Sequence, residues 1–123
     1  MAMAKILVVD DSPTQLANMV RICEAQGHQT VTATNGMQGV ELARTERPDL
    51  ILMDVVMPEL NGFQATRKIT RDPETQHIPV VLVTTKDQDT DKVWGERQGA
   101  AGYIIKPPQE AELVAKIREL LGA

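Results

Sequence analysis

Residues 6–15 read ILVVDDSPTQ. Four apolar residues in a row, Ile6 to Val9, run into two adjacent carboxylates, Asp10 and Asp11, and then into Ser12 and Pro13. A continuous apolar run, as opposed to an alternating one, is the pattern of a strand covered on both faces. Ser12 has the character of a helix N-cap, Pro13 suits the first helical position, and Gln15 stands where a capping box needs its second member. A buried strand therefore feeds straight into a helix, which is the opening of a β–α unit. The turn between them carries two like charges side by side, an arrangement that costs repulsion unless a positive group sits close by.

The same unit recurs along the chain. Leu50–Met53, Val80–Val83 and Tyr103–Ile105 are further short, continuous apolar runs, and QTVTAT at 29–34 alternates as an edge strand does. Between the runs lie helical patterns. Leu16, Met19, Val20 and Cys23 fall on one face at i, i+3, i+4 and i+7, and Gly27 ends that helix. Asn35 with Gln38 repeats the capping signal ahead of a helix reaching about residue 46, and a third helix is expected over 61–70. A fourth, over 90–98, is weakened by Gly95 at a cost of about 1 kcal/mol. The last, over 109–121, should bury Leu113, Ile117, Leu120 and Leu121. Five alternating units with short connections predict one α/β domain over 1–123, a doubly wound parallel sheet with helices on both faces.

Composition bounds the function. The 123 residues are 42% apolar and 24% charged, enough for one substantial core, and with one residue each of Phe, Tyr and Trp that core has to be aliphatic. A net charge of −4 argues against nucleic-acid binding. No apolar stretch approaches the roughly 18 residues of a membrane span. The start, MAMAKILVV, lacks the shape of a signal peptide, and Cys23 has no second cysteine to pair with. A cytoplasmic protein without membrane contact is expected.

In open α/β sheets, ligands bind outside the carboxyl ends of the strands. The residues that close the runs are Asp10 and Asp11, then Asp54, then Thr84 and Thr85, then Lys106. Three carboxylates at one edge need cations. Lys106 supplies one charge, and a hard divalent ion such as Mg²⁺ suits an all-oxygen site. A carboxylate nucleophile, a hydroxyl and an ammonium are also the groups needed to accept a phosphoryl group and hold its oxygens.

Taken in this order, VVDDS at 8–12, LMDVVMPELNG at 52–62, VTT at 83–85 and GYIIKP at 102–107 resemble the CheY-like receiver domains of two-component response regulators, over essentially the whole chain. The resemblance implies a flavodoxin-like fold with strand order 2-1-3-4-5. It implies that Asp54 is the phosphoacceptor, charged by a CheA-like histidine kinase or a small phosphodonor. Asp11, Asp54 and the backbone carbonyl of Val56 would bind Mg²⁺ directly, with Asp10 acting through a coordinated water. Thr84 and Lys106 would hold phosphoryl oxygens, and the Lys106–Pro107 peptide would be cis. Tyr103 matches the aromatic residue that swings inward as Thr84 moves, and the fourth helix, fifth strand and fifth helix would form the responsive face. The segment TTKDQDTDKVWGERQGA at 84–100 is similar to the stand-alone twitching-motility regulators of the type IV pilus chemosensory system. No effector domain is expected, because the chain ends at Ala123 just after the fifth helix, and a monomer is expected. Output would then run through a partner protein or, alternatively, through draining phosphate from a sister regulator.

Some positions depart from the CheY pattern. Val56, two residues after Asp54, and Lys86, two after Thr84, flank the path of the hydrolytic water, which predicts a phosphoaspartate longer-lived than that of CheY. Thr85 is bulkier than usual, and Pro108 follows Pro107 where an aromatic or aliphatic residue is common. Trp94 is expected first as packing and second as a partner contact. A Mg²⁺-dependent aspartyl-phosphate hydrolase of the haloacid-dehalogenase kind is the less favoured alternative, since such enzymes place a second acid where this chain has Val56. No GxGxxG follows the first strand, which removes a dinucleotide site.

Overall fold

The computed structural model describes residues 3–122. Strands and helices alternate as β1 (Lys5–Val9), α1 (Pro13–Ala25), β2 (Gln29–Ala33), α2 (Gly36–Thr45), β3 (Leu50–Met53), α3 (Gly62–Arg71), β4 (Val80–Thr84), α4 (Asp89–Arg97), β5 (Gly102–Ile105) and α5 (Glu110–Leu121). The strands form one parallel sheet in the order β2-β1-β3-β4-β5, so β2 is an edge strand and β1 and β3 are central. This is the CheY-like, flavodoxin-like arrangement. No helix among the described residues is long and apolar enough to cross a membrane.

The continuous apolar runs resolve into two cores because successive side chains of a strand point to opposite faces. Leu7, Val9, Ile51, Met53, Val80 and Leu82 pack with Val40 and Ala43 of α2 and Phe63, Ala65 and Ile69 of α3. Ile6, Val8, Leu50, Leu52, Val81 and Val83 pack with Met19, Ile22 and Cys23 of α1 and Leu113 and Ile117 of α5. Burial pushes the Cys23 thiol up to about 12, which keeps it protonated and unreactive. Leu120 and Leu121, expected to be buried, are only partly so, at the last turn of α5, which Gly122 closes in the left-handed conformation at φ 71°.

Three local expectations change. Gln15 donates its backbone N–H to Ser12 Oγ at 3.4 Å, but its side chain does not complete a capping box, because the Ser12 N–H is held by Asp10 Oδ1 at 2.9 Å. A charged acceptor two residues back outcompetes a neutral amide for that donor. In α2, Asn35 caps the Gln38 N–H at 2.8 Å, while Gln38 Oε1 takes the Thr34 N–H one residue earlier than a capping box would. The full reciprocal box forms at α3, between Asn61 and Gln64. Gly95 also has a role beyond weakening α4. A Cβ there would lie 2.9 Å from Leu82 Cδ1 and 3.2 Å from the Tyr103 ring, so the missing side chain lets α4 settle close onto β4 and β5.

Two substitutions in α3 test how tightly this scaffold is packed. A Cβ on Gly62 would overlap the Asp54 carbonyl oxygen and lie 2.7 Å from Val55 Cα. Overpacking costs about 1–3 kcal/mol, more than the helix propensity of at most about 1 kcal/mol that alanine adds. Gly62→Ala is therefore expected to lower the urea midpoint, and an unchanged midpoint would show that the backbone yields freely. Thr66 is wholly buried and its hydroxyl has no hydrogen-bond partner among the described residues. An unsatisfied buried hydroxyl costs about 1–3 kcal/mol, so Thr66→Val should raise the midpoint. A drop would contradict the orphaned hydroxyl.

Candidate functional site

Backbone hydrogen bonds carry the sheet one residue beyond its last pairs and fix where the chemistry sits. The Asp10 N–H donates to Ala33 O at 3.1 Å, the Asp54 N–H to Val9 O at 2.9 Å, and the Lys106 N–H to Thr84 O at 2.8 Å. Val9 is in register with Met53 and Thr84 with Ile105, so Asp10 and Asp54 leave the sheet side by side. Carboxylate oxygens of Asp10, Asp11 and Asp54 come within 4.8 Å of one another. Asp10 is wholly buried and Asp54 is 5% exposed, while Asp11 faces solvent. A cation entering from solvent would thus meet Asp11 first, with Asp54 beneath it.

The lysine lies closer to one acid than to the other. Lys106 Nζ donates to Asp10 Oδ2 at 2.6 Å and stands 3.6 Å from Asp54 Oδ2, its side chain almost fully enclosed. Asp10 therefore has both oxygens engaged, one by Lys106 and one by the Ser12 N–H. Asp54 is left with a 3.4 Å approach from the Val56 N–H and the more distant ammonium. Burial pushes the Asp54 carboxyl above its ordinary range. The Lys106 charge pulls it down, the Asp10 charge pushes it up again, and the Val56 and Val55 N–H groups lower it less. The net upward shift marks a carboxylate whose negative charge is under-compensated. The Lys106–Pro107 peptide is cis.

The remaining residues lie along β4, β5 and the turn into α4. Thr84 is wholly buried, and its Oγ1 accepts the Lys86 N–H at 3.3 Å. The carbonyl of the same Lys86 accepts the Tyr103 hydroxyl at 2.8 Å. One residue's backbone thus links the Thr84 hydroxyl to the Tyr103 phenol. Tyr103 is half-buried against Gly95, and its phenol is pushed up to about 12, first by burial and then by Asp91 and Asp87. The Val56 side chain and Lys86 are exposed. Trp94 is 48% exposed, which leaves much of its ring outside any core and corrects the expectation of packing. Pro107 is exposed, so the residue after the lysine contributes backbone geometry and little burial.

Sequence reasoning missed the donor that holds Asp10, the Ser12 N–H, because the pattern there pointed to Gln15. It also missed the backbone bridge through Lys86, whose side chain alone had drawn attention. Gly62, where a Cβ would overlap the Asp54 carbonyl oxygen, entered the sequence reading only as the last residue of LMDVVMPELNG.

Residues 6–118 match the response regulator receiver domain family. The chain is 58% identical over 119 residues to Protein PilH of Pseudomonas aeruginosa, covering 97% of this chain and 98% of that one. Chemotaxis protein CheY4 of Vibrio cholerae superposes with a TM-score of 0.91 at 29% identity, over 98% of this chain and 100% of CheY4. The receiver domain of a sensor histidine kinase of Pseudomonas aeruginosa, solved with a magnesium ion coordinated in its active-site cleft, superposes with a TM-score of 0.90 at 29% identity, over 99% of this chain and 100% of that domain. With its strand order, its acid cluster and these relatives in agreement, the chain belongs to the family of response regulator receiver domains.

Proposed function

We propose that this protein is a phosphorylation-controlled switch of a two-component relay, which takes a phosphoryl group from a histidine kinase onto Asp54 with Mg²⁺ as cofactor. The observation that carries the proposal is the convergence of Asp10, Asp11 and Asp54 with Lys106 Nζ beside them at the carboxyl edge of the sheet. The donor set is all oxygen and short of positive charge, which fits a hard divalent cation. Asp11, Asp54 and the Val56 carbonyl would hold the metal, with Asp10 reaching it through water. When bound, Mg²⁺ offsets the negative charge that gathers on the phosphoryl oxygens.

The residues of the chain do the rest. An Asp54 carboxylate oxygen attacks phosphorus, and the new O–P bond forms as the P–N bond of phosphohistidine, or the P–O bond of acetyl phosphate, breaks. The electron pair leaves with the imidazole, which takes up a proton, or with acetate. Lys106 exchanges Asp10 for a phosphoryl oxygen, and the Thr84 hydroxyl donates to another. Displacing Thr84 loosens the 3.3 Å contact to the Lys86 N–H and through it the Tyr103 hydroxyl. The phosphoryl group then biases a two-state equilibrium on the face formed by α4, β5 and α5. The similarity to PilH supports a place in type IV pilus chemosensory signalling and twitching motility, with a CheA-like kinase as donor.

With Mg²⁺ and acetyl phosphate, the intact mass should rise by one phosphoryl group and the Trp94 fluorescence should change. Asp54→Asn or a chelator should abolish both effects. An unchanged wild-type mass would defeat the proposal, and turnover of phosphate esters would favour the hydrolase. A second prediction concerns lifetime. The exposed Val56 and Lys86 sit at the mouth of the site, an apolar wall and a cation on the path of the attacking water. Radiolabelled phosphate should leave this protein more slowly than it leaves CheY, and Val56→Asn with Lys86→Glu should speed release by about tenfold, equivalent to ~1.4 kcal/mol of barrier. Release at the CheY rate would refute the slow hydrolysis.

A further inference from the structure

Away from the acid cluster, α2 and α3 frame a cleft lined by Met37, Val40, Arg44, Lys68, Arg71 and Asp72. Its charge runs against that of the molecule. The chain carries −4, yet α3 from Gly62 to Arg71 holds Arg67, Lys68 and Arg71 and no acid. The one carboxylate in the cleft is already committed. Asp72 accepts from Arg44 Nε at 2.8 Å and from the Glu74 N–H at 2.9 Å. Lys68 and Arg71 have no carboxylate partner within 4.0 Å among the described residues. Cations in the last turn of a helix complement its dipole, but the dipole does not account for the apolar side of the cleft. Met37 is 56% exposed there, a large flexible side chain next to Val40, and it also borders the adjoining hollow lined by Pro58 and Leu60.

We infer that this cleft is a docking surface for an acidic protein segment, whose carboxylates pair with Lys68 and Arg71 and whose aliphatic side chain seats on Met37. Charge complementarity selects the partner. Two unpaired cations suit two carboxylates, while a polyanion such as DNA or an anionic bilayer would meet the net negative charge of the chain over much of its length. A thioether adapts to aliphatic side chains of different shape, which suits Met37 as the anchor. On α3 the cleft takes in only the later residues Lys68 and Arg71, and nine residues at 1.5 Å each set Arg71 about 14 Å along the helix from Gly62, which abuts Asp54. It therefore leaves the phosphoryl site and the α4–β5–α5 face free, so docking and phosphorylation do not compete for the same residues.

The test uses a capped peptide, Glu-Leu-Asp-Glu-Leu-Glu, titrated into the whole protein while amide chemical shifts are followed. Shifts confined to α2, the start of α3's loop and the end of α3 are expected. Lys68→Glu with Arg71→Glu should weaken binding by at least about tenfold, as loss of complementary charge does at a rim, and Met37→Ser should weaken it separately. Both variants should still take a phosphoryl group from acetyl phosphate, which keeps this result distinct from failure of the phosphoacceptor reading. No binding at millimolar peptide, shifts elsewhere, or equal binding by the charge-reversed variant would overturn the inference. So would Lys68- and Arg71-dependent binding of phosphatidylglycerol vesicles or a DNA duplex in place of the peptide, or self-association through this face in sedimentation.

Discussion

Two enclosed carboxylates share a single ammonium at the carboxyl edge of the sheet, and that imbalance organises the molecule around it. Asp10 takes the closer share of Lys106, at 2.6 Å, and a backbone N–H besides, so both of its oxygens are engaged. Asp54, at 3.6 Å from the same ammonium, is not. Removing one partner of a buried ion pair costs about 3–5 kcal/mol, so Lys106 is held in place by Asp10 while remaining within 3.6 Å of Asp54 Oδ2. Two carboxylates held this close to one ammonium repel each other, and rigid strands keep them from moving apart. Three ladder hydrogen bonds beyond the strand ends supply that rigidity.

The helices add constraint by coming close. Gly62 brings α3 against the backbone of Asp54 and Val55, and Gly95 brings α4 onto Leu82 and Tyr103. In both places a missing side chain trades helix propensity for proximity. The first sets the loop that follows Asp54, and the second sets the aromatic residue at the other end of the Lys86 bridge. The active edge is thus defined from both sides of α3 and α4 by contacts that tolerate little movement, while Asp11, Val56 and Lys86 remain open to solvent.

Much of this was legible in the residues alone. Four continuous apolar runs and one alternating run announced a parallel sheet, since only strands covered on both faces lack alternation, and the residues closing the runs named the acid cluster and Lys106. The order of strands came from resemblance, not from periodicity, because parallel units of similar composition do not encode their own neighbours. Capping was less legible. Gln15 fits a capping box by spacing, but a tertiary carboxylate, Asp10, reaches the same donor with a full charge. Gly95 read as weakness because propensity is a local quantity, whereas its use depends on a Tyr103 ring that arrives from another strand. Trp94 was expected first as packing, yet it is 48% exposed on α4, where only Gly95 is buried.

The bridge between Thr84 and Tyr103 passes through the main chain of Lys86 alone: an N–H on one side and a C=O on the other. Every amino acid except proline carries both groups. The side chain at this position is therefore free to drift, to a cation, an acid or a small residue, without breaking the line from the buried hydroxyl to the aromatic ring. Surface charge is set by the side chain of this residue and the link between β4 and β5 by its main chain. A change of side chain at residue 86 thus alters charge beside the acid cluster and leaves both hydrogen bonds of the bridge in place.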